Sequence, residues 1–495
     1  MTEVAIIGGG ISGLSAGIFA QLNQLNSVII EKHTEIGGQC TGWNREGYHI
    51  DGCIHWLVGT KEGTPINELW KTLGALGDVP IHHPETFQSF EVGEHTVHLY
   101  RELSRLRSSL LDLSPKDGEM IDDFCDSIAT LQSFDVPVGK PQDMMGIWER
   151  LRSMMSMKEA GIIMQRFGKI SLKEYAARFE HPAIREALGS LLPEGYAASS
   201  LFFALAAFTK GQASIPMGGS KALAERMRKR YLALGGQVKT GCEIRSLKIE
   251  NSTAVGALYE GGQIQADYFV AACDAHHFYE ELLQGKYIDP QFHRRFEDAD
   301  QYPLASQVMI ALGYEGSMMS IPRTLSFPVT PFSLLGDPID RLTISHFTHE
   351  PDFAPKGHTL ITCAVNQFAD DYDAWWLLSR DRTAYAEEKR RIGKSVRLAI
   401  ERRFPEMRGE LRVLDVATPT TYERYCNAFR GAFMAFLPTV GGKMMAHSGR
   451  VRGVKNIFLS GQWLQPPGGL PVAAITGRDT IMRICKSENR QFNAG

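Results

Sequence analysis

No stretch of this sequence stays apolar long enough to cross a bilayer. The longest strongly apolar run in the interior, Leu201–Phe208, falls far short of the roughly 20 residues a spanning helix needs. Nor does the N-terminus read as a signal peptide, because Val4–Ile7 runs straight into glycines with no basic leader or cleavage site. Cysteine is sparse and scattered (Cys40, Cys53, Cys125, Cys242, Cys273, Cys363, Cys426, Cys485), with no CxxC pair. That argues against structural zinc, a CxxC redox motif or a disulfide framework, and for small buried hydrophobes in a reducing cytoplasm. Excess charge is missing too: a formal net charge of −3 speaks against nucleic acid as a bulk electrostatic partner. Internal repeats and low-complexity segments are absent. His276-His277 and His346/His349 lack matching carboxylates at obvious spacing, so no metal site is expected.

What is present is an ordinary globular composition, 43% hydrophobic and 22% charged, over 495 residues, too long for one compact core. Val4–Ile7 reads as a buried parallel strand and Ser12–Leu25 as a helix with Leu14, Ile18 and Leu22 on one face. Ser27–Glu31 reads as a second strand. Together they form a β-α-β unit at the extreme start of the chain. Gly8-x-Gly10-x-x-Gly13 sits between its first strand and its helix. Gly8 permits the tight turn, Gly10 lets the backbone approach a pyrophosphate, and Gly13 lets helix and strand pack closely. Ile11 and Ser12 open the helix, whose N-terminal N–H groups and dipole favour phosphates. Glu31 lies eighteen residues beyond Gly13. A carboxylate there accepts hydrogen bonds from ribose hydroxyls and repels a 2′-phosphate, which favours FAD or NAD over NADP.

Residues 36–52 (IGGQCTGWNREGYHIDG) separate these two. A second glycine pair, Gly37-Gly38, is followed by Tyr48-His49-Ile50-Asp51-Gly52, and here the chain resembles the FAD family of phytoene desaturases, carotenoid isomerases and retinol saturases, itself related to the amine oxidases. The resemblance extends through Pro216-Met217-Gly218-Gly219, Gly236–Ile244, Ala266-Asp267 and Ala272–Asp274, and through Leu459-Ser460-Gly461-Gln462 with Pro467–Pro471. It implies FAD as cofactor, held by Glu31 and Lys32, by Gly37, Gly38 and Gln39, by the backbone near Ile244, and by Gly461, Gln462, Gly469, Leu470 and Pro471. Two positions depart from the family pattern. Gln39 stands where Arg or Lys is usual, and Gln462 stands where Asp is usual. The Gly468-Gly469 turn allows close approach to a flat ring, and a helix starting at Pro471 aims its positive end at the flavin N1–O2 edge.

The texture alternates along the chain. The fold class expected is α/β, a Rossmann-like FAD-binding domain interleaved with a mixed α+β substrate domain. Residues 1–72, 212–285 and 430–495 are assigned to the first. The second takes 73–211, helix-rich, and 286–429, with a mixed sheet. Ser114-Pro115 reads as a helix start with a serine cap, and Arg380–Phe404 as a long helix with a Glu387–Arg391 pair. Met144–Met164, holding six of the eighteen methionines, and Leu201–Phe208 read either as the lining of an apolar tunnel or as plain helical core.

His55 and Trp56 follow the segment that runs toward the flavin. His55 is the side chain best suited to move a proton, with a structural histidine as the alternative reading. The function implied by the resemblance is hydride transfer between flavin N5 and a carbon of a hydrophobic polyene, isoprenoid or acyl-chain substrate. A redox-neutral double-bond isomerase, a flavin amine oxidase and a non-enzymatic prenyl-binding escort protein stay open beside it. No second nucleotide fingerprint is visible, so oxygen, a quinone or a diffusible reductant serves as electron partner. Arg150, Arg152, Lys158, Arg166 and Lys169 suit either a solvated face or peripheral contact with the inner face of a membrane.

Overall fold

The computed structural model describes residues 2–193 and 195–495. The strands Glu3–Ile7 and Asn26–Ile30 flank the helix Ile11–Leu22, and both are apolar because both faces of the sheet are covered. They sit near the middle of a five-stranded sheet. Its order is Gln237–Lys239, Asn26–Ile30, Glu3–Ile7, Tyr268–Ala271, Ile457–Leu459. Every pairing in it is parallel. The carboxyl ends of strands drawn from three distant parts of the chain therefore emerge on one edge. In open parallel sheets that edge is where ligands bind.

The first helix packs along the last, Leu470–Ser487. Gly477 makes the approach possible, since a Cβ there would lie 2.4 Å from the Ser12 carbonyl oxygen and 2.8 Å from Ser15 Cβ. Ser15 Oγ donates to the Ala474 carbonyl at 2.6 Å across the same crossing.

A seven-stranded mixed sheet forms the second half of the molecule. Its order is Leu411–Ala417, Ser306–Tyr314, Thr359–Gln367, Asp337–His346, Thr324–Leu334, Thr86–Val92, His95–Tyr100. All nine residues of Ser306–Tyr314 are buried, and period-2 alternation sorts them between two cores. Val308, Ile310 and Leu312 face Ile392, Val396 and Ile400 of the helix Arg382–Arg403. Met309 and Ala311 face Tyr48, Ile50 and Phe353 on the nucleotide side. The two halves thus share a core.

Several local expectations are corrected. Ser114 makes no cap hydrogen bond; its hydroxyl donates to Asp117, a single 3-10 turn covers Pro115–Asp117, and the α-helix starts at Gly118. Arg391 pairs with Glu388, one turn back, and not with Glu387. The methionine-rich stretch lines no tunnel: Met154 and Met155 are among the most exposed apolar side chains of the protein, and no residue of the helix Ile147–Ser156 is buried. Leu201, Phe202 and Leu205, on the helix Ser199–Thr209, are packed instead into the core beneath Phe90 and Leu99.

Overfilling the crossing at Gly477 tests what joins the two ends of the chain. Gly477→Val is expected to cost about 1–3 kcal/mol and to lower Tm by several degrees in a thermal melt, with flavin lost before the main transition. An unchanged melt would show that the helices part without consequence.

Candidate functional site

A cleft opens at the carboxyl edge of the parallel sheet, with a cavity volume of about 220 Å³ and a mouth open to solvent. Its floor is the first glycine turn. Gly8 has φ +109°, and a Cβ there would lie 2.5 Å from the Ala272 carbonyl oxygen, so the turn demands glycine on two counts. Gly13 does not line the cleft. A Cβ on it would come within 2.0 Å of the Gly8 carbonyl oxygen, which makes its part helix–strand packing, as the motif requires. Gly10 differs from both. The nearest atom to a Cβ there is 3.8 Å away, so its bare backbone faces open space beside Gly37 and Gly38. Gly37 N–H donates to the Gly9 carbonyl at 2.9 Å, bringing the second glycine pair against the first.

Glu31 is buried at the wall of this cleft. Its carboxylate accepts from Gly9 N–H at 2.8 Å and from His33 N–H at 2.9 Å, so its charge sits where the glycine turn and the second strand meet. Cys242 N–H donates to the Glu31 carbonyl, and Ile244 follows at the rim. Lys32 also lines the cleft, and its ammonium is tied to Asn427 Oδ1 and to the Arg424 carbonyl.

The neighbouring part is built by the C-terminus. Ser460 Oγ and Ser12 Oγ share a 2.6 Å hydrogen bond, joining the last sheet strand to the first helix. Gly461 (φ +136°) has open space where a side chain would be. Gln462 shows what its departure from aspartate does: its Oε1 accepts from Gly469 N–H at 3.1 Å and holds the turn ahead of the helix. Leu470 opens that helix at the cleft, and Pro471 sits in its first turn without lining the cleft. Gln39 spends its amide on the Ala432 carbonyl at 2.8 Å. Both glutamines thus line the cleft and brace its walls.

Asp51 anchors the passage to the second half. It accepts from Ser220 N–H and Ser220 Oγ, both at 2.6 Å, and from Cys53 and Ile54 N–H. Cys53 lines the cleft. His55 and Trp56, two and three residues further, lie outside it. Trp56 is 40% exposed with its ring 4.8 Å from Phe87. His55 also presents open surface, yet burial, and after it the charge of Arg323, holds its pKa below the ordinary 6.5. His55 is thus open at its own surface while protein surrounds it closely enough to disfavour its charged form.

Sequence reading missed one wall of the cleft: Tyr425, Cys426, Asn427 and Ala428. Tyr425 stacks on His33 with ring centroids 4.0 Å apart, and Asn427 Nδ2 lies 3.1 Å from His277 Nε2. These residues come from the end of the stretch assigned to the substrate side and carry no motif. Asp274 was quoted only within a signature; it accepts from His276, His277 and Phe429 N–H, and burial pushes its pKa up to about 6. All eight cysteines are free, and the half-buried ones, Cys53, Cys273 and Cys426, line the cleft. Among the described residues no group of three or more His, Cys, Asp or Glu is placed to hold a metal ion.

Bare glycine backbone on two neighbouring turns, a buried carboxylate at ribose distance along the chain, and a long helix starting at each turn are what an adenine dinucleotide requires. The profile of the flavin containing amine oxidoreductase family matches residues 11–484. A chloroplastic prolycopene isomerase from Daucus carota is 21% identical over 87% of this chain and 71% of its own length. A neurosporene-forming phytoene desaturase from Cereibacter sphaeroides is 23% identical over 56% of this chain, and the match spans about half (54%) of that relative. A solved oxidoreductase from Methanosarcina mazei shares the fold with TM-score 0.62 at 16% identity, covering 97% of this chain and 100% of that one. The protein is a flavin-dependent oxidoreductase. It belongs to the flavin-containing amine oxidoreductase family, with FAD as cofactor.

Gly10→Val separates holding the cofactor from holding the fold. Gly10 has an ordinary φ and room for a Cβ, so the variant is expected to fold with wild-type circular dichroism and melt as apoprotein, without visible flavin absorbance. Full flavin occupancy in that variant would place the dinucleotide elsewhere.

Proposed function

We propose that the protein transfers hydride between FAD and a carbon of a hydrophobic substrate of the polyene, isoprenoid or acyl-chain class. The observation that supports it is the aromatic surface next to the cleft, where the chain leaves Cys53 for His55 and Trp56, which we read as the wall of a substrate recess. Its wall is aromatic: Trp56 packs on Phe87, and Phe87 meets Phe208 edge-on at 5.3 Å. A large aromatic left 40% open beside a redox cofactor is a surface for flat, apolar chains. The names of the relatives quoted above, an isomerase of prolycopene and a desaturase of phytoene, fit that class.

Bound FAD supplies a two-electron centre that accepts or returns hydride. The chain's own part begins with the helix at Leu470, whose N-terminal end opens on the cleft and would stabilise negative charge on the bound cofactor. The glycine turns and Glu31 fix the position of the dinucleotide. His55 is neutral at pH 7, because burial and Arg323 both oppose its protonated form. A neutral imidazole receives a proton, so His55 takes the proton released when a C–H pair is oxidised. The sign follows: turnover holds above the lowered pKa and falls as the pH drops through it, below 6.5.

Anaerobic mixing of the oxidised holoenzyme with a polyene such as phytoene is expected to bleach the flavin in proportion to substrate oxidised. His55→Ala, with FAD still bound, is expected to slow bleaching by about 10²-fold or more and to abolish the acid limb. Conversion of the polyene with no bleaching would establish the redox-neutral isomerase instead.

A second surface supports peripheral contact with an anionic bilayer. On the helix Ile147–Ser156, Ile147, Trp148, Leu151, Met154 and Met155 fall within an arc of about 120° at 3.6 residues per turn. They are exposed, Trp148 to 83%. Arg150 and Arg152 stand at the two edges of that arc and Glu149 behind it, the arrangement of a helix lying in a headgroup layer. No helix among the described residues is long and apolar enough to cross a membrane. The protein is expected to sediment with phosphatidylglycerol vesicles and not with phosphatidylcholine vesicles, and Trp148→Glu with Leu151→Glu to abolish sedimentation. Equal recovery of that variant with the vesicles would dismiss the contact.

A further inference from the structure

The recess beyond His55 ends in a polar group that the proposed hydride chemistry does not use. Arg323 lies just before the strand Thr324–Leu334 and reaches back under the flavin-side passage, its Nη2 3.4 Å from the His55 carbonyl and its Nη1 3.2 Å from Thr324 Oγ1. Its Nε is buried with no partner, and no carboxylate forms an ion pair with it among the described residues. Asp51 and Glu350 act on it only at longer range, Asp51 being engaged by Ser220 and Glu350 by the Gly218 N–H. His349 comes off the neighbouring hairpin with both ring nitrogens buried and unpartnered. It stacks on His82, centroids 4.3 Å apart, and on Phe347 at 5.9 Å. By contrast His346, at the end of the strand that precedes this loop, is satisfied on both nitrogens by Ile321 and Thr348.

Such an arrangement is costly unless something completes it. A buried guanidinium N–H left unpaired and an imidazole without any hydrogen bond each forfeit the hydrogen bonds that water would have given them. The histidines do not cancel one another by charge, because burial and the nearby arginine keep His82 and His349 neutral. What remains is one fixed cation beside neutral imidazoles, with the Arg323 Nε and both His349 nitrogens closed off from solvent and unpaired. The side edge of a guanidinium, Nε with Nη2, matches the two oxygens of a carboxylate.

We propose that Arg323, with His349 and His82, is a recognition site for a carboxylate at the end of the substrate, so that the protein takes an apolar chain ending in an acid. The inference rests on the reading of the recess as the substrate chamber. Arg323 binds one carboxylate oxygen at Nε and the other at Nη2, and the neutral imidazole of His349 donates to it from the side. The aromatic wall at Trp56 and Phe87 then receives the apolar chain, and Arg323 sets the chain's register along the flavin.

Binding to the oxidised holoenzyme, followed through the flavin spectrum, tests this with three probes: all-trans-retinoate, the matched alcohol all-trans-retinol, and benzoate. The wild type is expected to bind retinoate at least about tenfold tighter than retinol. Arg323→Met should erase that preference while leaving retinol affinity and FAD content as they were, and Arg323→Lys should restore part of it. His349→Phe, in which the stack on His82 survives, should weaken retinoate severalfold and serves if Arg323→Met does not fold. If neither polyene binds but benzoate does, and Arg323→Met abolishes benzoate binding, the anion site stands and the polyene class falls. Equal affinity for retinoate and retinol in the wild type would overturn the proposal. So would undiminished retinoate binding in Arg323→Met, or no binding by any of the three.

Discussion

The contact between the first and last helices is the constraint from which the site follows. Gly477 lets the helix Leu470–Ser487 settle against Ser12 and Ser15, and the Ser12–Ser460 hydrogen bond pins the last sheet strand to the same place. Only then do the glycine turn after the first strand and the Gly461–Gly469 turn, more than four hundred residues apart in sequence, meet on one cleft. Each is ordinary alone. A strand–turn–helix corner exposes N–H groups and a dipole end to water, and two such corners held side by side on one cleft suit a doubly charged dinucleotide with a flat ring at one end.

A second constraint ties the cleft to the half of the molecule built on the seven-stranded sheet. Asp51 gathers four donors from Ser220 and from its own turn, and the chain leaving that turn passes from the cleft at Cys53 to Trp56, which packs on Phe87, within three residues. The shared core of Tyr48, Ile50, Met309 and Ala311 fastens the large mixed sheet to the same passage. Low dielectric surroundings then shape the chemistry. Burial disfavours charge on His55, His82 and His349, leaving Arg323 as the fixed charge of the recess.

Much of the nucleotide site was legible because its signals are local. The Gly8–Gly13 spacing, the acid at Glu31, and the Gly468-Gly469-Leu470-Pro471 turn each encode a backbone conformation that few other residues adopt, and the chain geometry places them at sheet edges. Gln39 and Gln462 were visible as departures, but not what they do instead, which is to hold the Ala432 carbonyl and the Gly469 amide. Tyr425 to Ala428 were invisible, since a segment that walls a cleft needs only shape and reach. The methionine-rich stretch misled for a related reason: its period of 3.6 marks an apolar face without saying whether protein lies against it.

By itself, then, the sequence determined the corner geometry of the first and last turns, the preference for an adenine dinucleotide without a 2′-phosphate, and the alternation of nucleotide-binding and intervening stretches. Those properties reside in glycine φ angles, helix ends and one carboxylate, all set within a few residues. Only the tertiary structure decided which apolar faces are covered, that Tyr425 to Ala428 wall the cleft, and that Arg323 meets the His55 backbone while His349 stacks on His82. Burial and hydrogen-bond satisfaction belong to surroundings assembled from distant segments, and a residue's neighbours in sequence do not disclose them.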